Sequence, residues 1–375
     1  MTYLRRLTVA VLLGTPLLSQ SVPPRIVPIG DSITEGNSAH PSYRFPLWQQ
    51  LHGLGYCFDF VGTKRGVYPF ATTGAIFDQD HFGFWGETVL DVYNHLTVAP
   101  HLFDADFALI ELGSNNVILG MDAGMSSTAV AAQVGTELTQ LINHLRSASY
   151  NANMEILLAK LTPLLPGPSS TGVWTAFDQG IIDTNAVIAT LAGPNVRIVD
   201  QFSGFVTSSD TYDDVHPNDS GAAKIAAKWA TALTSLLGVP AANQPCFHDF
   251  GRGAIAGFVW PRLTYSAMNP SLPTQGATIT LDMFDLVPSA PALVAVSMPA
   301  AATPFVASQA YFWVDTNTYV LLPPLTTSST GSASCSFTLP GGPTAVGVEL
   351  ATQAFTVGTN PLFTSMTNGG LIRIG

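Results

Sequence analysis

The sequence predicts an α/β chain: a doubly wound, flavodoxin-like parallel sheet of five strands, followed by a smaller all-β sandwich. Three observations carry this. Apolar runs of strand length alternate with amphipathic helical stretches from Arg25 to about Pro240. Helical periodicity then stops. Beyond it, Gly, Pro, Ser and Thr punctuate short β-prone runs.

Taken in order, residues 26–29, 58–61, 107–112, 156–161 and 196–199 read as buried strands. Between them, Phe45, Trp48, Leu51 and Leu54 recur at helical spacing. Val130, Val134, Leu138, Leu141, Ile142 and Leu145 form a longer stripe, and residues 220–237 form a last helix. Strands that alternate with helices are joined by crossovers and pair in parallel. Ligands of such sheets bind at the carboxyl ends of the strands. Residues 277–281, 292–296, 310–314, 334–339 and 345–350 read as strands of the second architecture. The expected organisation is a signal segment at 1–21, an α/β domain at 22–240, a linker at 241–264 and a β-domain at 265–375.

The signal segment rests on Arg5 and Arg6, the apolar stretch 7–18 and the small residues Ser19 and Ser21. That stretch is shorter than the roughly 20 residues that span a bilayer, so the chain is expected to be exported and to have no membrane span. Of its 375 residues 47% are hydrophobic and 10% charged, which excludes a disordered, highly charged chain. A net charge of −11 repels nucleic-acid phosphates and leaves neutral esters and sugars as ligands. Three cysteines allow Cys57 to pair with Cys246, Cys246 with Cys335, or none to pair. No CxxC spacing or histidine cluster suggests a metal, and no cofactor is expected.

Ser32 follows the first strand directly, in Gly30-Asp31-Ser32, with Gly30 allowing a tight exit. A strand-end serine is more often a helix cap than a nucleophile, and becomes one only beside a base. Of eight histidines, His216 has the setting of a base: it lies between the last strand and the last helix, in Asp213-Asp214-Val215-His216. A carboxylate three residues earlier can hold Nδ1–H and leave Nε2 to the serine. Asp213 is the expected orienter and Asp214 the solvent-facing neighbour. Donors for an oxyanion are offered by Asn115, after the third strand, and by the backbone of Gly86, in a block expected to open a helix.

Together these motifs resemble the SGNH (GDSL-type) hydrolases. The chain is most similar to the acetylxylan esterases of carbohydrate esterase family three over residues 25–36, Ser42-Tyr43-Arg44, residues 58–63, Asp80-His81-x-Gly83-x-x-Gly86 and residues 185–188. The resemblance implies Ser32 as nucleophile, His216 as base and Asp213 as its partner. It also implies an oxyanion hole of Ser32, Gly86 and Asn115. Asp31, Trp85, Glu87 and Asn116 are the expected substrate-side residues. The family's Gly-x-Asn-Asp ends here in Asn116, which predicts a retuned hydrogen-bond network, and Trp85 and Glu87 also depart from the pattern. Arg44 is expected to be a structural cation tying the first helix to the sheet.

The implied function is deacetylation of a polysaccharide such as xylan, with the β-domain attaching the enzyme to a surface or matrix. The alternatives are a hydrolase of short-chain non-carbohydrate esters and a catalytically silent binding protein. Tyr311, Phe312, Trp313 and Tyr319 could form a sugar platform, although strand aromatics are more often core.

Overall fold

A computed structural model describes residues 23–68, 77–98, 104–147, 150–164, 174–240, 244–250, 254–255, 262–265, 269, 272–300, 303–305, 310–357 and 363–375. The signal segment, the glycines at 251, 253 and 257, and the side chain of Tyr311 lie outside the described residues.

The first sheet holds β1 (Arg25–Gly30), β2 (Asp59–Phe60), β3 (Lys64–Arg65), β4 (Asp80–Gly83), β5 (Phe107–Glu111), β6 (Glu155–Lys160) and β7 (Val196–Asp200). Its order is β3-β4-β1-β5-β6-β7, with β2 also on β1. All pairings are parallel except β3 with β4. The five expected strands are present, and two more join them. β2 pairs with Arg25 and Ile26 of β1, while β4 takes the same edge further along, at Ile29 and Gly30. The block of β4 was expected to lead into a helix. It reads as a loop in isolation because four residues with two polar side chains carry no periodicity; only the free edge of β1 makes it a strand.

The helices are α1 (Ser32–Glu35), α2 (Arg44–Gly53), α3 (Val89–Val98), α4 (Ser114–Asp122), α5 (Ser127–Leu145), α6 (Trp174–Thr190), and, after the last strand, α7 (Thr207–Asp210) and α8 (Asp219–Leu237). Strand side chains alternate between two cores. Val27, Ile29, Ala108, Ile110, Ile156 and Leu158 face one, with the α5 stripe from Val130 to Leu145. Ile26, Leu109 and Leu157 face the other, with Leu47, Trp48 and Leu51 of α2 and Ile225, Trp229 and Leu233 of α8. Each fully buried side chain of this kind contributes about 1.5–3 kcal/mol, so the period-3.6 stripes fix which helix covers which face.

The C-terminal region is antiparallel. One sheet joins Arg262–Tyr265, Thr278–Phe284 and Ala333–Thr338. A larger one is built on Pro291–Ser297, Glu349–Val357 and Gly369–Arg373. Leu263, Ile279, Leu281 and Met283 of the first share a core with Val294, Ala354 and Ile372 of the second. The stretch expected to be a linker contributes strands: Cys246–Phe250 pairs with Gly369–Arg373, and Arg262–Tyr265 with Thr278–Phe284. The partner of Cys246–Phe250 lies more than a hundred residues away, which no local pattern reveals.

Cys57 and Cys246 form a disulfide, and Cys335 is free and buried. Trp313 is fully buried and belongs with Leu371 to the core under α2 and α8, so it is no sugar platform. Phe312 packs beside Phe355, whereas Tyr319 is 47% exposed. Among the described residues no helix is long and apolar enough to cross a membrane.

Candidate active site

Ser32 begins α1 immediately beyond the carboxyl end of β1. Asp31 caps that helix, its Oδ1 accepting from Ile33 N–H at 2.9 Å. The turn requires glycine at position 30: a Cβ there would lie 2.2 Å from Thr34 Oγ1 and 2.5 Å from the Glu111 carbonyl. Arg44 holds the turn from α2. Buried completely, it donates to the carbonyls of Thr34, Glu35, Gln79 and Gly66, each at 2.8 Å. The expected structural cation is in place, and it ties the helix to four backbone points.

His216 approaches from the loop between α7 and α8. Its Nε2 is 2.9 Å from Ser32 Oγ, and its Nδ1 is 2.7 Å from Asp213 Oδ2. Asp213 Oδ1 also accepts from the backbone N–H of Val215 and of His216, at 3.2 and 2.8 Å. The carboxylate therefore holds both the ring and the backbone of the same histidine. With Nδ1–H given to Asp213, Nε2 is the acceptor for the serine hydroxyl. Asp213 is the more exposed of the two neighbouring acids, its side chain 43% accessible, whereas Asp214 is half-buried with φ +71°.

Asn115 opens α4 beyond β5. Its Nδ2 donates to the carbonyl of Glu87 at 2.9 Å and lies 3.5 Å from Asp31 Oδ2. It is thereby tied to the residue before Ser32 and the residue after Gly86. Gly86 is exposed, with φ +78°, in the left-handed region that favours glycine. Phe84 N–H donates to Gly30 at 3.0 Å and Trp85 N–H to Glu35 Oε2 at 2.7 Å, so the loop carrying Gly86 is bound to the turn carrying Ser32.

Two expected substrate-side residues are corrected. Asp31 is 1% exposed and Asn116 5% exposed, and both are hydrogen-bonded inward. Asn116 accepts from Val89 N–H at 2.9 Å and donates to Glu137 Oε2 at 2.8 Å, bracing α3 and α5. An aspartate here would set two carboxylates against each other. The Glu87 carboxylate lies 2.8 Å from His95 Nε2. Trp85 stacks on Tyr68 and on His216, both with centroids 4.6 Å apart.

Several site residues were missed in the sequence. Glu35, 2% exposed, accepts from Trp85 N–H and pairs with Lys64. A carboxylate inside an otherwise uncharged turn, in Ser-Ile-Thr-Glu, was the available signal. Tyr212, next to Asp213, stacks on His216 with centroids 5.6 Å apart.

A doubly wound sheet with serine, histidine and aspartate in hydrogen-bond sequence at its strand ends has the geometry of a serine hydrolase. The chain belongs to the GDSL-like lipase/acylhydrolase family, whose sequence model matches residues 29–224. It is 25% identical over 253 residues to a multidomain esterase of Ruminococcus flavefaciens, covering 61% of this chain and 31% of the relative's length. Similar solved structures include a family 3 carbohydrate esterase from Talaromyces cellulolyticus (22% identity, 57% of this chain and 98% of that one, TM-score 0.44). Another is the family 3 carbohydrate esterase of Clostridium thermocellum (26%, 58% and 100%, TM-score 0.40).

Proposed function

We propose that this protein is an exported serine esterase that removes acetyl groups from a polysaccharide such as xylan. The observation that carries the reading is the continuous relay from Asp213 through His216 to Ser32 Oγ. Ser32 Oγ bonds to the acetyl carbonyl carbon as His216 Nε2 takes its proton and the carbonyl π pair moves onto oxygen. Backbone N–H groups of Ser32 and Gly86, with the Asn115 amide, hold that oxyanion; each such donor is typically worth about 3–4 kcal/mol. Collapse breaks the ester C–O bond, and the sugar oxygen leaves with the proton from His216. Water then attacks the acetyl-serine, giving its proton to His216. Acetate departs as Ser32 Oγ recovers that proton. Asp213 stabilises the imidazolium at each stage.

The acetyl-sugar assignment is supported by the motif stretches shared with the acetylxylan esterases and by an acidic chain suited to neutral substrates. Export through a signal segment at 1–21 is supported by the Cys57–Cys246 disulfide, a bond of oxidising compartments. In this reading residues 265–375 carry the surface or matrix attachment.

Ser32→Ala and His216→Ala are expected to lower p-nitrophenyl acetate hydrolysis by about 10³-fold or more. Retained turnover in either would remove the relay. Acetate release from acetylated xylan, measured beside butyrate and longer esters, tests the substrate. No release, with ready cleavage of the longer esters, would favour the non-carbohydrate ester hydrolase.

A further inference from the structure

Beyond Asp213 and Ser32, His216 has a second set of partners. Four near-parallel ring contacts link five residues across the site. Tyr68 stacks on Trp85 (centroids 4.6 Å, planes 23° apart), and Trp85 on His216 (4.6 Å, 19°). His216 stacks on Tyr212 (5.6 Å, 13°), and Tyr212 on His40 (4.5 Å, 14°). The imidazole edge is occupied by Asp213 at Nδ1 and Ser32 at Nε2, while Trp85 and Tyr212 lie parallel to its plane.

The flanking rings are anchored independently of any substrate. Trp85 N–H donates to the buried Glu35 carboxylate, which also pairs with Lys64. Tyr212 Oη accepts from Asn37 Nδ2 at 2.8 Å, and Tyr212 N–H donates to the His216 carbonyl at 3.1 Å. His40 Nδ1 lies 3.1 Å from Asp219 Oδ1. Asn37 also forms a backbone bridge with Tyr68, whose N–H donates to the Gly36 carbonyl at 3.0 Å. The rings thus come from four separate loops that are cross-tied to each other.

Such anchoring matters because Asp213 is 43% exposed and held in a surface loop. One carboxylate hydrogen bond leaves the imidazole free to tilt about the Nδ1–Oδ2 line, and a tilt moves Nε2 off the serine. A ring parallel to the imidazole opposes that tilt. An aromatic face also attracts the cation that appears when His216 takes the serine proton.

We propose that Trp85 and Tyr212 are positioning residues for the base: they hold the His216 imidazole in the plane that meets Ser32 Oγ. The inference rests on the relay proposed above. It gives Trp85, where this chain departs from the acetylxylan esterase pattern, a role through the histidine rather than through the sugar.

The test compares Trp85→Leu, Trp85→Phe, Tyr212→Leu and Tyr212→Phe in the full chain with p-nitrophenyl acetate. Each Leu variant is expected to lower kcat about tenfold with KM little changed, and each Phe variant to recover most of that loss. The carbon-bound imidazole protons of His216 should resonate upfield in the native protein through ring currents, move downfield in the Leu variants and stay upfield in the Phe variants. Native imidazole resonances at unshifted positions would overturn the proposal even where a Leu variant fails to fold. So would Leu variants with full kcat, or a changed KM with kcat intact, which marks a substrate contact. Ser32→Ala and His216→Ala measured alongside separate the two readings. Activity surviving in them sinks the relay, whereas their inactivity beside fully active Leu variants sinks only the ring proposal.

Discussion

Asp31 caps the helix that starts with Ser32, and Glu111 closes β5 behind it, each 1% exposed. Burial first, and the Asp31 carboxylate second, push Glu111 up to about 8, against the opposing Trp229 indole and Lys228. Burial likewise raises Asp31 to about 7, against the backbone N–H groups of Ile33 and of Asp31 itself. A raised carboxyl pKa means that the folded chain keeps a proton the unfolded chain releases. The associated stability is complete below the ordinary carboxylate range and is lost as pH rises through about 8. Glu111→Gln removes its share of that loss. The gain in melting temperature over native protein should therefore be larger near pH 8 than near pH 5. A gain independent of pH would show that Glu111 does not titrate in this window. At this scale Ser32, Asp213 and His216 were legible because short motifs carry them. Glu35 and Tyr212 were not singled out, because their partners, Trp85 and His216, become neighbours only through the fold and through a turn.

Helices α3 and α5 meet at Asn116, whose amide oxygen accepts from Val89 N–H and whose nitrogen donates to Glu137. Gln133 Nε2 occupies the other Glu137 oxygen at 2.7 Å. Asn116→Asp exchanges a donor for a second buried charge. It should cost about 3 kcal/mol in urea unfolding, in the range for an uncompensated buried charge. Adding Glu137→Gln should recover most of the loss. If the double substitution is no more stable than Asn116→Asp, charge is not what selects asparagine here. The long stripes of α5 and α8 could be read from the sequence because repeated apolar positions at helical period leave little choice of face. The four residues of β4 could not, since the pairing that defines them belongs to β1.

The two architectures are joined along a seam. The Cys57–Cys246 disulfide closes 189 residues of chain, Arg65 Nη2 reaches Asp249 at 2.8 Å, and Arg373 Nη2 donates to the His52 carbonyl at 3.2 Å. His52 Nε2 lies 3.0 Å from Glu349, and buried His248, 3.2 Å from Cys246 Sγ, is pushed down to about 3 by burial and by the neighbouring His52 and Arg373. Trp313 and Leu371 sit in the core under α2 and α8, so the β-region packs into the first architecture. Replacing Cys57 and Cys246 together by serine should lower stability by about 2–4 kcal/mol, read in urea or thermal unfolding. An unchanged melting curve would mean that the remaining seam contacts suffice.

The sequence by itself determined the alternation of strands and helices, the five parallel strands, the change of architecture after residue 240, and the serine, histidine and aspartate motifs. These rest on local periodicity and short spacings, which survive without tertiary information. Tertiary structure alone decided which cysteines pair, that 246–250 and 262–265 are strands, that Asp31 and Asn116 point inward, and that aromatic rings flank the base. Most of these are contacts between chain segments whose proximity is set by how the sheets close, and no single segment encodes them.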